Sequence, residues 1–98
     1  MTGPATPLER GKALALRFLA ARARTEAQVR ARLTKAELDE VADEVVAWLR
    51  GLGYLDDAAY ARARARSLVA RGRAGPRLAE RRLLAAGIPS ASARAAVA

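Results

Sequence analysis

The chain has no cysteine and no histidine among its 98 residues. Disulfide scaffolds, thiol catalysis, Cys/His zinc sites and Ser-His triads therefore drop out at once. Aromatic residues are 4% of the chain and β-branched runs are absent, so nothing favours strands. No apolar run approaches membrane-spanning length. The N-terminal stretch MTGPATPLER has no apolar signal core, so the expectation is a cytoplasmic protein. No residue constellation supports catalysis, and the reading is not an enzyme, with no cofactor and no metal.

What is present is alanine and arginine, 26 and 16 residues respectively. Both are strong helix formers, and an all-α fold follows. The net charge of +8 is unevenly spread. Residues 1–36 hold eight basic and two acidic side chains, +6. Residues 37–57 hold seven acids against Arg50, −6, and residues 58–98 hold nine arginines against Glu80, +8. Basic flanks around an acidic middle suit an anionic partner. The plainer alternative is that these arginines are solvated helix faces.

Local signals place six helices. Thr6-Pro7-Leu8-Glu9 combines an N-cap, proline at the first helical position and a capping-box glutamate. Leu8, Leu14, Ala15, Phe18 and Leu19 gather on one side of that helix, with Arg10 and Arg17 opposite. Thr25-Glu26-Ala27-Gln28 is a second capping box, and Val29 and Leu33 share a face. A third helix starts between Thr34 and Asp39, with a stripe of Leu38, Val41, Val45, Trp48, Leu49 and Leu52. Gly51 and Gly53 stop it. Asp56 or Asp57 caps a fourth helix, whose stripe is Ala58, Ala61, Ala65, Leu68 and Val69. Gly72 ends it, Pro76 opens a fifth helix that Gly87 closes, and Pro89-Ser90 begin a sixth. Trp48, Phe18 and Tyr54 are the expected packing anchors, and loss of Trp48 is expected to cost about 3–5 kcal/mol.

Shifted by 50 residues, the sequence partly overlies itself. Phe18-Leu19-Ala20 falls on Leu68-Val69-Ala70, Arg32-Leu33 on Arg82-Leu83, Leu38 on Ile88 and Val29 on Ala79. The expectation is a monomer of about two elongated, tandem three-helix repeats. The boundaries read as a disordered tail at 1–6, a first repeat at 7–52, and a second at 53–98 that is truncated in its third helix.

Candidate functional residues are the arginines of the second repeat. Arg62 and Arg66 lie on one side of the fourth helix, and Arg64 and Arg71 on the other, near Tyr60. Arg71, Arg73, Arg77, Arg81 and Arg82 run on through the turn RGRAGP, whose backbone N–H groups open a helix and suit an anion. Five or six such contacts to DNA phosphates would give a log K versus log salt slope of about −5. Stacking partners for bases are scarce, and the side chains that base readout needs are lacking. Trp48, Tyr54, Leu55, Asp56 and Asp57 read as structural: Tyr54 and Leu55 as a hydrophobic staple, the aspartates as caps rather than metal ligands or a catalytic pair.

The segments ALRFLAARARTEAQVRARL, VVAWLRGLGYLDDAAYARARARS and RGRAGPRLAERRLLAAGI resemble the RecX family of bacterial recombinase regulators. The likeness runs from Lys12 to Ile88. It implies tandem three-helix repeats and a regulatory, non-enzymatic protein that binds the RecA–single-stranded DNA filament. Such a protein inhibits filament extension, ATPase and strand exchange, and so modulates recombination, DNA repair and the SOS response. Some family members also contact DNA. Family members usually carry a third repeat, and the first unit has Ala36-Glu37 where the family often has Lys-Gly. The competing reading is an independent, non-specific DNA-binding module for single- or double-stranded DNA. A membrane role lacks the large apolar helix face it would need.

Overall fold

A computed structural model describes residues 5–72 and 75–98. Among them the regular structure is helical: α1 (Pro7–Ala21), α2 (Glu26–Lys35), a 3₁₀ turn (Asp39–Val41), α3 (Ala42–Gly51), α4 (Asp57–Ala70), α5 (Pro76–Ala85) and α6 (Ser90–Val97). The chain divides into two compact units, one ending at Leu55 and one running from Asp56 to Ala98. The N-terminal tail expected at 1–6 falls mostly on residues 1–4, outside the described residues, and Thr6 is already the cap of α1.

The helix starts follow local chemistry. Thr6 and Glu9 form one reciprocal capping box, and Thr25 and Gln28 form the other. Asp56 accepts from the Ala59 N–H at 3.0 Å. Four helix ends are left through a residue at positive φ, the α4 end through Gly72 (φ 64°), which donates to the Val69 carbonyl. Gly53 (φ 79°) donates to the Arg50 carbonyl while Tyr54 donates to Leu49. Gly87 (φ 91°) donates to Leu84 while Ile88 donates to Leu83. Glu37 (φ 59°) donates to Thr34 while Leu38 donates to Leu33.

The 50-residue shift reappears in three dimensions, because Thr6 and Asp56, Thr25 and Gly75, and Glu37 and Gly87 hold corresponding caps. The cores correspond as well. Ala15, Val29, Leu33 and Leu38 are buried in the first unit, and Ala65, Ala79, Leu83 and Ile88 in the second. In the first unit α1, α2 and α3 pack on one another, and in the second α4, α5 and α6 do so.

Several sequence expectations change. The third helix begins at Ala42 after a 3₁₀ turn, later than expected, so Leu38 enters the core from the preceding turn. Leu52 is 51% exposed and Tyr54 57%, so neither is core. Both follow the end of α3, where the turn at Gly53 swings the chain outward before Leu55 drops back in. Leu55 is buried and Tyr54 is no anchor. Trp48 and Phe18 sit at the core's edge, half-buried, and Leu33, Leu49, Val29, Val45 and Val46 are its fully buried members. A rim position lowers the cost of losing Trp48 to about 2–3 kcal/mol. On α4, Ala58 and Val69 are exposed, and Ala61, Ala65 and Leu68 carry the burial.

Candidate partner-binding surface

The two units treat their cations differently. In the first, Glu26 opens α2 and receives Arg30 at 3.2 Å and Arg50 at 2.6 Å. Arg30 also donates to Asp43 at 2.7 Å. The Arg50 hydrogen bond is the largest influence holding the Glu26 carboxyl below its ordinary pKa of 4.5, against the opposing effect of burial. Asp43 raises the pKa of Arg30 in turn. The Lys12 ammonium lies 4.7 Å from the Trp48 ring centre, and the Arg24 guanidinium 3.9 Å from that of Phe18. A network thus ties α2 to α3, and cations cover the apolar rim.

Five arginines of the second unit stand differently. No carboxylate lies within ion-pair distance of Arg62, Arg66, Arg71, Arg77 or Arg81 among the described residues. All five are exposed. Arg73 lies outside the described residues. Arg62 and Arg66 sit one turn apart on α4, each bordering a depression against α6. Arg77 and Arg81 line another depression on α5 together with Glu80, and Arg71 is the C-cap of α4. The structure therefore groups the predicted arginines into an α4 pair, an α5 pair and Arg71 at the end of α4. Arg64 is half-buried, and Arg82 is exposed in the last turn of α5. Tyr60 is half-buried and packs against the second core.

The structural residues separate more sharply. Asp56 is the cap and Asp57 begins the helix, so the first carboxylate is used by backbone hydrogen bonding. Sequence reasoning missed the α6 wall of the α4 depressions, where Ser92, Ala95 and Ala96 line one and Ala96 and Val97 the other. An alanine-rich helix without apolar periodicity carries no signal for it.

The architecture is that of a helical-repeat protein whose second repeat offers uncompensated positive charge. Residues 12–49, within the first unit, match the family model described as RecX, first three-helix domain, and the match supports a RecX family protein. No curated protein and no solved structure gives a significant match. Among the described residues, no helix is long and apolar enough to cross a membrane.

Proposed function

We propose that the chain is a RecX-type regulator that binds the RecA–single-stranded DNA filament and restrains its extension, ATPase and strand exchange. One observation carries this reading: among the described residues, Arg62, Arg66, Arg71, Arg77 and Arg81 of the second unit have no carboxylate within ion-pair distance, whereas Arg30 and Arg50 of the first unit are paired. Unsatisfied guanidinium groups make charge-assisted hydrogen bonds with carboxylates or phosphates of a partner at little desolvation cost. In the first unit Glu26 and Asp43 take up Arg30 and Arg50, while Arg17 and Arg22 are exposed there as well.

The test is RecA's single-stranded-DNA-dependent ATPase, titrated with the chain and with an Arg62/Arg66/Arg77/Arg81→Ala variant. The chain is expected to lower the rate, and the variant to need at least about tenfold more protein for the same effect, equivalent to some 1.4 kcal/mol over four contacts. An unchanged ATPase at saturating wild-type protein would remove the reading. The same exposed charge also supports DNA binding without RecA. An anisotropy titration on an oligonucleotide at about 50 mM salt, where phosphate contacts are strongest, separates the two.

A further inference from the structure

The α4 pair of arginines borders something the α5 pair does not. Two shallow depressions run along the seam of α4 and α6 and share Ala96. The floor of the first includes Ala65, Val69 and Val97, with Arg66 on its rim. The second is walled by Ala58 and Ala96, with Arg62 and Ser92 beside it. Val69 is 53% exposed although apolar. Neither depression has an acidic side chain in its lining.

A surface of this composition discriminates between anions. A nucleic-acid backbone would satisfy the arginines and leave the alanine and valine floor uncovered. Unstacked bases would need aromatic platforms, and Tyr60 is half-buried against the second core. Residues four apart on a helix are neighbours on one side, so Arg62 and Arg66 present two guanidinium groups at a helical repeat. Their natural complement is a second helix with carboxylates one turn apart and small or branched apolar side chains beside them.

We propose that the α4–α6 groove is a docking site for an acidic amphipathic helix of a protein partner. Arg62 and Arg66 pair with its carboxylates, and Val69 and Ala96 receive its apolar side chains. This deepens the reading of the second unit as the binding unit and assigns its α4 side to protein rather than to nucleic acid.

The experiment is a fluorescence anisotropy titration of the whole chain at low salt with three probes. These are a synthetic amphipathic helix with two glutamates one turn apart flanked by leucines, a scrambled peptide of the same composition, and an oligothymidine of equal charge. The ordered peptide is expected to bind about tenfold more tightly than either control, about what one well-buried leucine supplies. Val69→Asp and Arg62→Glu/Arg66→Glu should each abolish that preference. Arg17→Glu/Arg22→Glu, which makes the same change of charge at exposed sites in the first unit, should leave it intact. Val69→Gln keeps the test valid if the aspartate disturbs the end of α4, and circular dichroism establishes that each variant is folded. Equal binding of ordered and scrambled peptide, tighter binding of the oligonucleotide, or an unaltered preference in Val69→Gln would overturn the proposal. RecA is absent from this measurement. A failed groove with an inhibited ATPase condemns the groove alone, and an intact groove with an unaffected ATPase condemns the RecA reading alone.

Discussion

Glu37 occupies a backbone conformation that its side chain resists. Its φ of 59° closes α2 and feeds Leu38, 5% exposed, into the first core. Fifty positions later the same turn is made by Gly87, which feeds in Ile88, 2% exposed. Holding an L-residue in the left-handed region costs about 1–2 kcal/mol. Replacing it with glycine relieves that strain but adds freedom to the unfolded chain, a loss of about 0.5–1 kcal/mol. The glutamate also stands past a helix C-terminus, beside Asp39 and Glu40, where removing negative charge returns about 0.3–1 kcal/mol. Glu37→Gly should therefore stabilise the first unit by about 1 kcal/mol, raising its melting temperature by about 4–8 °C. Thermal circular dichroism measures it, with Glu37→Gln as the control that removes charge and keeps the backbone strain. The glutamine variant should gain only a few tenths of a kcal/mol. If glycine melts no higher than wild type, or no higher than glutamine, the strain argument is wrong. Gly87→Ala is the mirror experiment and should destabilise the second unit by about 1 kcal/mol.

Gly11 is buried in α1, and a Cβ there would stand 3.1 Å from Cγ2 of both Val41 and Val45. Gly11→Ala gains about 1 kcal/mol of helix propensity but overpacks at a cost of about 1–3 kcal/mol; a urea melt should show a net loss of about 1 kcal/mol. Glu26→Gln should cost about 1 kcal/mol at neutral pH, at the upper end for exposed pairs because two arginines converge on it. The Glu26 carboxyl titrates below 4.5 when folded, so its contribution is present above that pH and lost as pH falls through the folded value. The melting difference between wild type and Glu26→Gln should shrink accordingly in acid.

Much of this was legible because the determinants are short-range. A capping box spans four residues, so Thr6, Thr25 and their partners declare themselves, and Asp56 and Gly87 do so nearly as well. The repeat was legible because its buried positions keep their spacing. Angles on a single helix cannot say where the neighbouring helices end, and so Leu52, Ala58 and Val69 were misplaced at the margins of real stripes. Gly11 has no side chain to register as apolar, yet it marks the close approach of α1 to Val41 and Val45. The arginine positions were legible as charge. That two of them border an apolar seam was not, since α6 supplies half of that seam and is built mostly of alanine.

The uneven distribution of carboxylates gives the two halves opposite responses to ions. Electrolyte weakens the attraction among Glu26, Arg30, Asp43 and Arg50, while it quiets mutual repulsion among the nine arginines beyond residue 57, which face Glu80 as their sole acidic companion there. Added salt should soften the opening triplet of helices and firm the closing one. A bound polyanion would act on the latter like a concentrated dose of counterion, leaving it sturdier occupied than empty.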